Sequence, residues 1–301
     1  MDPVDYLQAS TKWHTIPPQV KLFTTLNINM KKLITFLFLT AAFAVNAWDQ
    51  RAPLPPQACA VHSPWGWAQT ARPAQPICRE AYFVAYDAPV KIPVYVAYTL
   101  LPPNALGCFP RTNAFVADQS LGGTGARPDD YAGTGYDKGH AAPDGDLSWS
   151  QQVEYESFLM TNMYPQHGSL NRGIWKLLET SVRGWAVQRN QAYTIYVGAI
   201  YGAGDPTIGN GVIVPRGYYK IVVNQATNET AGWLFPHTKP YVNLGNDLTK
   251  FRAPIAQIQE YAGVRYALPP GARELPPGTE WKVDFGQLTN AKRAKCGRNA
   301  E

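Results

Sequence analysis

The most informative feature of this chain is the segment Tyr136-Asp137-Lys138-Gly139-His140, together with three polar residues further along the sequence. These three residues are Asn162, Asn171 and Glu179. An Asp-Lys-Gly-His sequence by itself could belong to any loop. The same residues followed by two asparagines and a carboxylate are unlikely to occur together by chance. The combination indicates a functional site in the middle of the chain.

These residue types suit the hydrolysis of a phosphodiester. Such a diester resists attack because its anion repels nucleophiles and its leaving alkoxide is poor. A catalyst therefore needs a base for water, a cation near the phosphate and a group that stabilises the departing oxygen. His140 can act as the base, since an imidazole is partly neutral at ordinary pH. A hydrogen bond from its other ring nitrogen to a backbone carbonyl, or to the amide oxygen of Asn162, would orient the ring.

Asn171 and Glu179 are the predicted metal-binding residues. Mg²⁺ prefers oxygen ligands and keeps several waters when a substrate phosphate supplies others, so one amide oxygen can suffice as the direct protein ligand. Both residues fall on a predicted helix over 171–188, where eight residues rise by about 12 Å. We therefore expect Glu179 to reach the metal through a water or through Asn171. Mn²⁺ is the alternative ion.

Two cations are expected at the phosphate. Lys138 precedes His140 by two residues and would face the phosphate from the same loop. Arg111 is a candidate for a bidentate phosphate contact and for stabilising transition-state charge. Asp144 and Asp146 could also contact a metal, but their Gly-rich spacing suits a turn equally well.

Composition and periodicity predict one α+β domain. The 301 residues are 45% hydrophobic and 16% charged, and the 25 glycines and 26 prolines favour many turns. Residues 48–80 are Pro-rich and predict an irregular arm. One apolar stripe along the helix over 171–188 contains Trp175, Leu178, Val182 and Trp185. A second helix is predicted over 254–262, and strands are predicted over 81–86, 94–101, 157–164, 193–200, 212–214, 218–223 and 232–235.

The first 47 residues have the layout of a targeting segment. Met30-Lys31-Lys32 supplies a basic start, 33–45 is free of charge, and Val45-Asn46-Ala47 has small residues where a signal peptidase cuts. We expect a non-translated or spurious extension over 1–29, a signal peptide over 30–47 and a single domain over 48–301. The protein would be secreted or periplasmic, with no membrane segment after cleavage. A short membrane anchor is the alternative, although its apolar run is shorter than the about 20 residues that span a bilayer.

The cysteines and the net charge add two further constraints. An even cysteine count in an exported chain predicts two disulfides, with three connectivities open, among Cys59, Cys78, Cys108 and Cys296. Any bridge to Cys296 would pin the C-terminal tail to the body. A zinc site made from Cys59, His62 and Cys78 is the alternative, but it lacks a fourth ligand at normal spacing. Removal of residues 1–47, which carry four lysines and two aspartates, would lower the net charge from +5 to +3. This mildly basic charge is compatible with a polyanionic substrate and does not demand one.

Three motifs together carry a family resemblance. Asp137-Lys138-Gly139-His140 matches an Asp-Arg-Gly-His signature, and 161–166 matches Thr-Asn-Met-x-Pro-Gln. The set Asn171, Trp175, Leu178 and Glu179 matches Asn-x-x-x-Trp-x-x-Leu-Glu. The chain thus resembles the sugar-non-specific DNA/RNA endonucleases of the ββα-metal (His-Me finger) superfamily. It departs from the commonest pattern at Lys138, where a lysine lacks the planar fork of the usual arginine.

The resemblance has specific implications for fold and function. It implies a ββα-metal core with a central antiparallel sheet flanked by helices. It implies His140 as general base, Asn171 as Mg²⁺ ligand, Glu179 orienting metal waters, and Arg111 and Asn162 supporting the site. It implies cleavage of DNA and RNA to 5′-phosphate products. Two alternatives stay open: a phosphodiesterase of small nucleotides, and a non-catalytic nucleic-acid-binding module on the same fold. The oligomeric state and any protein inhibitor are left open by the sequence.

Overall fold

The computed structural model describes residues 52–297, so the predicted extension and signal peptide lie outside the described residues. The helices are α1 (Asp144–Leu147), α2 (Gln151–Ser157), α3 (Lys176–Arg189), α4 (Ile255–Ala262) and α5 (Phe285–Cys296). The strands are β1 (Gln69–Thr70), β2 (Gln75–Cys78), β3 (Phe83–Asp87), β4 (Ile92–Leu100), β5 (Tyr136–His140), β6 (Met163–His167), β7 (Tyr193–Ile200), β8 (Thr207–Ile208), β9 (Val212–Ile213), β10 (Gly217–Asn224), β11 (Glu229–Pro236), β12 (Val264–Arg265) and β13 (Arg273–Glu274). Among the helices of this region, none combines the length and apolarity of a bilayer-spanning segment.

A seven-stranded sheet forms the centre of the domain. Its strand order is β13-β11-β10-β7-β4-β3-β2, and every neighbouring pair is antiparallel except the short parallel pair β11–β13. The predicted α+β class with a central antiparallel sheet is therefore confirmed. The edge strand β2 lies within the predicted irregular arm over 48–80 and contains Pro76. An edge strand tolerates proline because one side of it needs no ladder partner.

Both faces of the sheet are buried, so its central strands are apolar on both sides. In β10, Tyr218 and Val222 belong to the core beneath α3, while Ile221 and Val223 belong to the core beneath α4. The predicted apolar stripe is confirmed, since each of its four side chains is at most 2% exposed. Burial of such large side chains stabilises the fold by about 1.5–3 kcal/mol each.

The motif residues lie in a separate two-stranded hairpin. β5 pairs antiparallel with β6, with His140 opposite Met163 and Tyr136 opposite His167. The residues expected to form a loop are thus a strand. Helix α3 comes after the hairpin along the chain, which gives the ββα order that the family resemblance implies.

Two predicted elements differ from the observed ones. The strand over 157–164 is wrong, because α2 continues to Ser157 and a 3-10 turn spans Met160–Asn162 before β6 begins. Apolar runs of this length do not distinguish a strand from other buried segments. The helix over 171–188 is kinked, since Gly173 has non-helical angles (φ −100°, ψ −118°) and α3 begins only at Lys176.

Two disulfides join distant parts of the chain. They connect Cys59 with Cys78 and Cys108 with Cys296, so the prediction of two bridges is confirmed. The zinc alternative is wrong, because both of its cysteines are bonded to each other and His62 instead hydrogen-bonds backbone groups. The second bridge attaches α5 to the rest of the domain. This helix was not predicted, because Leu288 is its only buried residue and the sequence has no apolar stripe there.

Candidate active site

A cleft of about 530 Å³ lies beside β5 and collects most of the predicted site residues. Its walls come from β5, α1, the kinked segment before α3, α3 itself and α5. Arg111, Lys138, His140, Asn171 and Glu179 all line it. Residues that are far apart in sequence therefore face one common space.

His140 ends β5 in an aromatic pocket. Its ring lies 5.0 Å from that of Phe158 and 5.7 Å from that of Phe115, centroid to centroid. Burial, helped by the nearby charge of Arg111, lowers the pKa of His140 to about 3. The imidazole is therefore neutral across the physiological range and able to accept a proton. A phosphate anion beside the ring would raise this pKa, because opposite charge favours the protonated form.

Asn162 does not orient that ring, contrary to the expectation from sequence. Its amide oxygen accepts from the Ala142 N–H at 3.0 Å, and its amide nitrogen donates to the Ala142 and Ser157 carbonyls. Asn162 is completely buried and clamps the backbone just after His140. It supports the site through that backbone. Within residues 52–297, Nε2 of His140 is buried without a hydrogen-bond partner.

Asn171 is oriented by the first residue of the Asp-Lys-Gly-His motif. Its amide nitrogen donates to Oδ2 of Asp137 at 3.0 Å, which leaves the amide oxygen as the group available to a cation. Asp137 also lies 3.4 Å from the Arg172 guanidinium. The expected separation of about 12 Å between Asn171 and Glu179 assumed one continuous helix. The kink at Gly173 interrupts that helix, so the assumption does not hold. Both side chains line the same cleft.

Glu179 lies in the first turn of α3, above a buried lysine. Nζ of Lys220 is 3.8 Å from Oε1 of Glu179, and the lysine side chain is 0% exposed. Burial raises the pKa of Glu179 to about 7, while Lys220 and Arg183 oppose that rise. Burial also lowers the pKa of Lys220, whose Nζ has no hydrogen-bond partner among the described residues and lies 4.8 Å from the Trp175 ring centroid. The sequence assigned no role to Lys220, because its partner is 41 positions away in the chain.

Arg111 is held at the cleft by polar and aromatic contacts. It donates to Oδ2 of Asp144 at 2.8 Å and to Oδ1 of Asn113 at 2.7 Å, and its guanidinium lies 4.9 Å from the Phe158 ring centroid. The suggested metal pair Asp144 and Asp146 is not formed. Asp144 binds Arg111, and the fully buried Asp146 accepts from the Tyr98 hydroxyl and from Arg183, each at 2.7 Å.

Positive charge dominates the cleft. Lys138 lies on β5, 5.0 Å from the Phe115 ring centroid. Arg172, Lys176, Arg183 and Lys292 are further lining cations that sequence reasoning did not single out. Asp144 and Glu179 are the lining carboxylates. A polyanion is the ligand class that this balance attracts.

The donors in the cleft fit a hard divalent cation. The amide of Asn171 and the carboxylate of Glu179 offer oxygen, which Mg²⁺ and Mn²⁺ prefer over nitrogen and sulfur. Residues 52–297 contain no cluster of three or more His, Cys, Asp or Glu side chains that could hold a metal. The two oxygen donors, Asn171 and Glu179, suit an ion whose other ligands are waters and a phosphate.

Strands β5 and β6, helix α3 and the cation-lined cleft beside them form the ββα arrangement that the three motifs predict. The chain belongs to the family described as DNA/RNA non-specific endonuclease, whose family model matches residues 68–271. The resemblance inferred from the three motifs is thereby confirmed.

Individual relatives agree with this membership. The chain is 35% identical over 147 residues to a nuclease from Nostoc sp., a match covering 48% of this chain and 53% of the relative. It is 27% identical over 209 residues to the human mitochondrial endonuclease G, covering 64% and 69%. The matches span about half to two thirds of the curated relatives' lengths.

A solved structure shows the same fold. The crystal structure of an EndoG/EndoGI complex aligns with a TM-score of 0.60 and 22% identity, over 69% of this chain and 91% of that one. The ββα-metal fold expected from the resemblance is confirmed by this similarity.

Proposed function

We propose that the protein is an exported, Mg²⁺-dependent endonuclease that hydrolyses DNA and RNA to 5′-phosphate products. The observation that carries the proposal is the convergence of His140, Asn171 and Glu179 in one cation-lined cleft. Family membership supports the reaction class. Mn²⁺ is the alternative ion.

Each residue has a task in this reaction. The neutral His140, whose ring packs against Phe115 and Phe158, accepts the proton of the attacking water. Arg111 and Lys138 bind the phosphate and stabilise the charge that develops on it. Asn171, oriented by Asp137, is the proposed direct ligand of the ion. Glu179, with Lys220 beneath it, orients waters around the ion.

Mg²⁺ bound by these residues would supply Lewis-acid stabilisation of the phosphate and of the departing oxygen. Asn162 holds the backbone after His140 in place, so its contribution is positional.

Export is proposed on two grounds. Residues 30–47 have the composition of a signal peptide, and two disulfides are typical of proteins that fold in oxidising compartments. N-terminal sequencing of protein recovered outside the cytoplasm is expected to begin at Trp48. A sequence that retains residues 30–47 would contradict this part of the proposal.

An in-gel nuclease assay tests the activity. The purified protein is expected to degrade DNA and RNA with Mg²⁺, and to lose activity in EDTA. His140→Ala should lower the rate by about 10² to 10⁴-fold, the usual contribution of positioned proton transfer. His62→Gln is the matched control, because His62 is also buried but lies outside the cleft. Cleavage of a dinucleotide diester without cleavage of the polymers would instead support a small-nucleotide phosphodiesterase, and binding without any cleavage would support a non-catalytic module.

A further inference from the structure

Helix α5 forms one wall of the cleft although it lies beyond the part of the chain that matches the family. The match ends at residue 271, and α5 begins at Phe285. Leu288, Thr289 and Lys292 of this helix line the same cleft as His140. Family membership therefore does not account for this wall.

The position of α5 is held by several independent contacts. The disulfide from Cys296 to Cys108 ties its last turn to a segment 188 residues earlier. Lys295 donates to the Pro103 carbonyl at 2.8 Å. At its start, Gln188 of α3 exchanges two hydrogen bonds with the backbone of Asp284, at 2.6 and 3.0 Å.

A glycine of α3 allows the segment before α5 to pack closely. A Cβ atom on Gly184 would lie 2.1 Å from Cγ2 of Val283, well inside contact distance. Leu288 is buried against the same region. The helix is thus seated on α3 as a fixed element, which is what a binding wall requires.

Lys292 is the charged group that α5 presents to the cleft. It is half-buried, and within residues 52–297 it forms no hydrogen bond or ion pair of its own. Burial, helped by the nearby charge of Arg183, lowers its pKa, while the carboxylates of Asp144 and Asp146 oppose that shift. An anion in the cleft would relieve that cost by pairing with the ammonium group.

We propose that Lys292 binds a backbone phosphate of the nucleic-acid strand, next to the scissile one, and that α5 with its disulfide is an added strand-binding wall. This inference rests on the proposed function, because a strand must occupy the cleft. The reaction centre at His140 already has Arg111 and Lys138 for the scissile phosphate, so the further cation that α5 contributes serves a neighbouring phosphate.

Binding of single-stranded DNA as a function of salt tests this role. The measurement uses the His140→Ala protein in EDTA, a fluorescent oligonucleotide and anisotropy. Adding Lys292→Ala should weaken binding on the order of tenfold. It should also reduce the slope of log K against log salt by about 0.7, the value for one phosphate contact on a single strand. Lys292→Arg should keep the slope.

Arg293→Ala is the matched control, because it removes the same charge from the same helix at an exposed position outside the cleft. It should leave both affinity and slope unchanged. Removing the disulfide with Cys108→Ser and Cys296→Ser should lower the slope by less than Lys292→Ala does, because the contacts of Lys295, Asp284 and Leu288 still hold α5. It should change little further in the Lys292→Ala background.

Three outcomes separate the inference from the proposed function. If the wild-type protein binds and cleaves DNA, but Lys292→Ala and Arg293→Ala change the affinity and the salt slope equally, the inference alone is overturned. A wild-type protein that neither binds nor cleaves nucleic acid would overturn the proposed function. A KM for polymer raised by Lys292→Ala, with an unchanged kcat on a dinucleotide diester, would support both.

Discussion

Gly139→Ala is expected to damage both the stability of the protein and its rate. A Cβ atom at this position would lie 2.2 Å from Oε1 of Gln166, 2.5 Å from its Cδ and 2.8 Å from its Cγ, whereas ordinary contacts begin near 3.4 Å. Gln166 is completely buried, so it cannot simply swing into solvent. Either this side chain or strand β5 must therefore move by roughly an ångström to restore ordinary contact distances.

The two responses have different magnitudes. Forcing Gln166 to repack should cost about 1–3 kcal/mol of unfolding free energy, as overpacked cores do. In a protein of this size that lowers Tm by roughly 2–12 °C. If β5 shifts instead, His140 moves with it, and a misplacement of about 1 Å can cost about 10²-fold in rate. We expect a mixture of both effects.

A double-variant cycle with Gln166→Ala measures the contact. Cleavage of a defined oligonucleotide gives kcat/KM, and thermal denaturation followed by circular dichroism gives Tm. Truncating Gln166 makes room for the new methyl group, so Gly139→Ala should be much less harmful in that background. A Gly139→Ala protein with wild-type Tm and rate would refute the reasoning, as would strictly additive effects of the two substitutions.

Three further predictions concern other parts of the domain. Asp118→Asn should lower the free energy of unfolding in urea by about 3–5 kcal/mol, because it removes the negative charge 2.7 Å from the buried Arg79 guanidinium. Asp129→Asn, at an exposed position, is the control and should change the unfolding free energy little. Burial lowers the pKa of His62 to about 4, so as pH falls from 6.5 to 4 the unfolded chain binds a proton that the folded chain does not. The free energy of unfolding should therefore fall by about 3 kcal/mol across that range. His62→Gln should reduce the pH dependence of unfolding there by one proton, and an unchanged slope would contradict this prediction. Asn171→Ala should abolish Mg²⁺ binding measured by calorimetry, and Asp137→Ala should weaken that binding by about 10- to 100-fold. Equal Mg²⁺ affinity in the wild type and both variants would exclude Asn171 as the ligand.

The main residues of the candidate site could be singled out from sequence, but their supports could not. His140, Asn171 and Glu179 were chosen because few reactions need those residue types at that spacing, and the structure places all three in one cleft. Asn162 was also chosen, yet its hydrogen bonds go to the backbone after His140, a geometry that spacing alone does not encode. The kink at Gly173 was not predicted, because the apolar stripe that indicates the helix begins only at Trp175, after the kink.

Four features follow from the amino-acid sequence alone: the α+β class, the apolar stripe of α3, the residue types available to the cleft and the number of disulfides. These features depend on local periodicity and on the chemistry of individual side chains. Four contacts became apparent only from the packed chain: Lys220 lies beneath Glu179, Asp137 orients Asn171, Cys108 pairs with Cys296 and Lys292 reaches the cleft. Those contacts join residues far apart in the chain, so they depend on how the sheet, hairpin and helices pack rather than on any local pattern.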